Sequence, residues 1–92
     1  MKIKLYKSDI NVNITNFMRK CGYIPFHDSF TKVLAGSGYP RFHIYINDED
    51  DKFVLNLHLD QKRPSYGKET AHSGEYDGKV VEDEVERIID FI

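Results

Sequence analysis

The sequence predicts an α+β domain in which two helices pack on one face of an antiparallel three-stranded sheet, in the order (β)-α-β-β-β-α. Three observations lead there. Residues 41–47 (RFHIYIN) and 53–60 (FVLNLHLD) both alternate apolar and polar side chains, the two-residue beat of half-buried strands. The acidic run DEDD, Asp48 to Asp51, separates them as a hairpin tip. Near each end, apolar residues recur at the three-to-four-residue beat of an amphipathic helix, and helices on one side of such a sheet leave its other face open.

Each element follows in order. Ile3 and Leu5 alternate with Lys2 and Lys4, which suits a short edge strand whose lysines discourage further pairing. Asn13 is placed to cap a helix bearing Ile14, Phe17, Met18 and Cys21 on one stripe, with Arg19 and Lys20 in its last turn and Gly22 to end it. Pro25 stops any extension, and Ser29 to Ala35 is rich enough in β-branched and aromatic residues to form a strand. Facing apolar rows set Ile46 against Phe53 and Ile44 against Leu55, which places Arg41 opposite His58 and His43 opposite Asn56. Residues 61–76 show no periodicity and are expected to form a long loop. Asp77 is placed to cap the closing helix, Tyr76 and Val81 stand at staple spacing, and Val81, Val85, Ile88, Ile89 and Ile92 form its apolar stripe.

Ninety-two residues make one domain, 1–92, near the small end of what buries its own core. The lone Cys21 cannot form an internal disulfide and falls on a core stripe, so a buried reduced thiol is expected, as in a cytoplasmic protein. No apolar run approaches the roughly 20 residues of a membrane span, and the start lacks the apolar centre of a signal peptide. Residues 1–41 hold seven Lys/Arg against two Asp/Glu, whereas residues 42–92 hold six against thirteen. That polarity orients a chain on a charged partner, but a net charge of -2 is weak support for nucleic acid.

Candidate chemistry concentrates on the open sheet face, where Arg41, His43, Tyr45, Asn56, His58 and Asp60 share one side. Two histidines and an arginine are the parts of metal-independent phosphodiester cleavage: His43 and His58 as base and acid, and Arg41 on the phosphate. Lys62, Arg63, Tyr66 and Lys68 in the loop place cations around an aromatic ring, a pattern that holds phosphates and stacks a base. A metal site of His58, Asp60 and His72 is the other chemical option, with Glu75 and Asp77 nearby in sequence. No phosphate loop, EF-hand loop or serine or cysteine nucleophile with its base is recognisable, and no cofactor is expected.

A helix ending in Lys20-Cys21-Gly22-Tyr23, strands with a Ser-Gly stretch before the histidine of Phe42-His43-Ile44-Tyr45, and a closing helix resemble the HicA-like toxins, whose fold is similar to double-stranded-RNA-binding domains. The resemblance implies RNA cleavage centred on His43 and silencing by an antitoxin-like protein partner. The chain departs from that pattern in the insertion Ile24 to Ala35, in Tyr39-Pro40-Arg41-Phe42 before the histidine and in its longer final loop. It also resembles a set of small bacterial proteins sharing PRFHIYI, NLHLDQKRPSYG and AHSGEYDG, which implies no particular activity. RNA binding or cleavage therefore ranks first. A non-enzymatic protein-interaction module using loop 61–76 and the acidic C-terminal helix ranks second, and the metal site third.

Overall fold

The computed structural model describes residues 1–61, 74–75 and 78–92. It is an α+β fold with strands β1 (Lys2–Tyr6), β2 (Ile24–Phe26), β3 (Ser29–Val33), β4 (Arg41–Asp48), β5 (Lys52–Asp60) and the two-residue β6 (Gly74–Glu75), and helices α1 (Ile14–Lys20) and α2 (Lys79–Ile89). The sheet order is β1-β5-β4-β3-β2, every pairing is antiparallel, and β6 pairs with the end of β5. The sheet is therefore wider than the three strands expected. The basic start does pair along β5, and Ile24–Phe26, expected only to break a helix, folds back on β3 through the turn His27-Asp28. Pro25 offers no N–H, so it suits this edge strand, and His27 takes up a left-handed conformation at φ 56°.

The β4–β5 hairpin pairs in a register two residues away from the one that facing apolar rows suggest. Asn47 and Asp48 remain paired, with Val54 and Phe53, and Glu49 N–H donates to Lys52 O at 2.9 Å. Like charges at the tip would oppose this closure. Lys7 answers them with an ion pair to Asp48 at 2.6 Å, and Lys52 lies 3.5 Å from both Glu49 and Asp51. The register becomes Ile44 to Leu57, Ile46 to Leu55, Arg41 to Asp60 and His43 to His58, correcting the expected pairs. Because the shift is two residues, every side chain keeps its face.

One face carries Ile3, Leu5, Phe42, Ile44, Leu55, Leu57 and Leu59, which form the core with Phe17, Met18 and Cys21 at α1 and Val81 and Ile88 of α2. Asn13 caps α1, its side chain accepting from Asn16 N–H at 2.8 Å, and Gly22 ends it at φ 98°, both as expected. On α2 the N-cap is Gly78, which has no side chain to offer; Asp77 and Tyr76 lie outside the described residues. Its buried face also differs: Ile89 and Ile92 are exposed, while Glu84 is only 5% exposed. Glu84 accepts from Tyr23 Oη at 2.6 Å and from both Nε and an Nη of Arg87 at 2.8 Å, and that Arg87 nitrogen also donates to Cys21 O at 2.6 Å.

Burial pushes the Cys21 thiol up to about 11, against partial compensation from the Arg87 charge. Thiolate is the reactive form, so Cys21 is inert while the fold is closed. In a thiol-titration assay at pH 7.5, the native protein should react at least a hundredfold more slowly than the denaturant-unfolded chain. Equal rates would contradict the burial.

Candidate metal centre

Parity brings the site together. On the face away from the helices, β4 presents Arg41, His43 and Tyr45, β5 presents Asn56, His58 and Asp60, and β3 presents Ser29 and Thr31. His43 stands directly across from His58, their ring centroids 5.1 Å apart, and Arg41 stands across from Asp60. Asp60 unites them: His43 Nδ1 is 3.0 Å from its Oδ2, His58 Nε2 is 3.2 Å from its Oδ1, and Arg41 Nε makes a longer contact of 3.5 Å to Oδ2. Both imidazoles are buried, at 8% and 9% exposure.

The second nitrogen of His43 is also engaged. Its Nε2 lies 2.7 Å from Ser29 Oγ, and Ser29 in turn donates to Phe26 O at 2.9 Å. Ser29–His43–Asp60 is thus a hydrogen-bonded chain drawn from three strands, though its hydroxyl is buried and directed at a carbonyl rather than towards solvent. It orients the imidazole. Ser29 has one proton to give, so while that proton is on Phe26 O, His43 Nε2 must be the donor. Nδ1 faces the carboxylate either through a proton that it donates or with a lone pair, and in the second case a cation between the two would satisfy both.

His43, His58 and Asp60 could each offer one ligand atom to such a cation, those atoms lying within 4.8 Å of one another, and the nitrogens that face the carboxylate are His43 Nδ1 and His58 Nε2. Around a tetrahedral zinc ion, ligand atoms stand roughly 3.3 Å apart, a closing that side-chain torsions can supply. Burial holds His58 below the usual histidine range, with the neighbouring His43 adding to that shift and Asp60 opposing it. Its neutral form is the form that binds metal.

Around the centre, Tyr45 stacks at 4.7 Å on His43 and 5.6 Å on His58 and is 44% exposed. The Arg41 guanidinium lies 4.7 Å from the Tyr39 ring and 5.0 Å from the Phe26 ring. Of the residues expected at the site, Arg41, His43, His58 and Asp60 converge; Lys62, Arg63, Tyr66, Lys68 and His72 lie outside the described residues. Sequence reasoning missed Ser29, Phe26 and Tyr39. The available signal was the polar beat Ser29-x-Thr31, which lands on the histidine face once β3 pairs with β4.

Compared with known proteins, the chain matches no family model, no curated protein and no solved structure. Among the described residues, no helix is long and apolar enough to cross a membrane.

Proposed function

We propose that this protein is a metal-binding domain in which His43 Nδ1, His58 Nε2 and an Asp60 oxygen hold a zinc-class dication on the sheet face away from the helices. The observation that carries it is the convergence of ligand atoms from those three residues to within 4.8 Å of one another, with both histidines buried. Support comes from the outer contacts: a ligating histidine usually donates its other ring N–H, and His43 has Ser29 Oγ in place to accept it. Two histidines with one carboxylate leave a position open for water or a ligand. Relative to the metal option read from the sequence, His43 joins His58 and Asp60 as a ligand.

Equilibrium dialysis against Zn²⁺, followed by metal analysis, tests the reading. One ion per chain is expected for the parent protein, with loss in His58→Ala and in Asp60→Ala. Stoichiometry that is unchanged in both variants, or below about one tenth of an ion in the parent, would sink it.

The ribonuclease reading, with His43 and His58 as base and acid, uses the same face, and the observation in its favour is Arg41 in contact with the carboxylate that both imidazoles face. It competes with the engagement of both His43 nitrogens by Ser29 and Asp60. Cleavage of labelled RNA in the presence of a chelator, lost in His43→Ala, is the result that would restore it over the metal reading.

A further inference from the structure

We infer that the open position of this centre binds the phosphate of a nucleotide, with Arg41 as the second phosphate contact and Tyr45 as the platform for the base. The inference rests on the metal reading and extends it to a ligand class.

Charge argues for a dianion. A bound dication is met by one carboxylate and two neutral imidazoles, and Arg41 adds its own charge at the edge, an excess of about two positive charges in a partly buried site. Phosphate monoesters carry that charge near neutral pH and offer several oxygens, so one can meet the metal while another meets the guanidinium. Arg41 is also held for the task. Packing beside Phe26 and Tyr39 and the long contact to Asp60 restrict its side chain, which lowers the ordering cost of gripping a ligand.

The aromatic geometry argues for a base attached to that phosphate. The Tyr45 ring lies within 15° of parallel to His58 and 23° of His43, the three ring centroids forming a triangle with sides of 4.7, 5.1 and 5.6 Å. Nearly half of Tyr45 remains exposed, which leaves aromatic surface for a purine to pack against. A free nucleoside monophosphate and the 5′-phosphorylated end of an RNA strand share this chemistry.

Calorimetric titration of the zinc-loaded protein with adenosine 5′-monophosphate, adenosine and inorganic phosphate decides it. The monophosphate should bind at least tenfold more tightly than adenosine. Arg41→Ala should weaken it at least tenfold with zinc stoichiometry unchanged, and Tyr45→Ala should reduce it to the affinity of inorganic phosphate. A 5′-phosphorylated ribo-oligonucleotide, set against its unphosphorylated twin, distinguishes a strand end from a free nucleotide, and tighter binding of either phosphorylated ligand upholds the inference. Monophosphate binding no tighter than adenosine, or undiminished in Arg41→Ala, overturns it. Should Arg41→Ala fold poorly, Arg41→Gln and the comparison of ligands on the parent protein carry the decision. Zinc uptake without phosphate preference removes the nucleotide alone, whereas absent zinc uptake removes the metal centre beneath it.

Discussion

Zinc at a hundredfold excess over its dissociation constant should raise the melting temperature of the parent protein by roughly 10–20 °C, and a chelator should reverse the rise. A ligand that binds only the folded state contributes about 2.7 kcal/mol at that excess, and a small domain gains several degrees for each kcal/mol. The folded state is the one that assembles the ligands, because His43 and His58 meet only across the β4–β5 ladder and Asp60 lies at the far end of β5. Asp60→Ala removes the carboxylate that faces both rings and should abolish the shift. His27→Asn is the matched control: His27 lies outside the three-residue ligand group, and asparagine tolerates its left-handed backbone. A parent protein whose melting point is unmoved by zinc, or a shift retained in Asp60→Ala, would refute the site.

Glu84→Ala should cost about 3 kcal/mol, a fall of roughly 15 °C in melting temperature, because it strips a buried carboxylate from Tyr23 and Arg87 and leaves their donors unmatched. This network ties α2 to the chain segment at the end of α1, through Tyr23 and the Cys21 carbonyl. It also sets a pH dependence. Burial pushes the Glu84 carboxyl up, yet hydrogen bonds from Arg87 and Tyr23 and the Arg87 charge outweigh it, holding the group below its usual value of 4.5. The folded state thus binds this proton less readily than the unfolded chain, so the contribution is complete above about pH 4.5 and is lost as pH falls through the folded value. Melting curves from pH 7 to pH 3 should show a smaller acid-induced drop in Glu84→Gln than in the parent. Parallel curves would mean that other carboxylates govern acid unfolding.

Glu84 also shows where periodicity misleads. The helical beat correctly buries Val81 and Ile88, but it assigns Ile89 and Ile92 to the core and treats the acids as solvated. An acid is buried on α2 because Tyr23 and Arg87 supply three donors, and Tyr23 reaches it from 61 residues away in sequence. No local pattern reports such a partner.

The histidine face divides in the same way. Alternation alone puts Arg41, His43, Tyr45, Asn56, His58 and Asp60 on one side, since water and core partition successive side chains and any even slip in register preserves the result. That much the chain carries locally, together with the Asn13 cap, the Gly22 stop and the order of the main elements. Only the tertiary structure decided which residues meet. The register of the β4–β5 hairpin, whose acidic tip meets Lys7 and Lys52, sets His43 across from His58 and Arg41 across from Asp60; the fold-back of β2 on β3 brings Phe26 and Ser29 to the same place. Those choices depend on charges and hydrogen bonds between segments distant in sequence. A two-residue slip leaves the apolar pattern unchanged, so periodicity could place the histidines on a face but not across from each other.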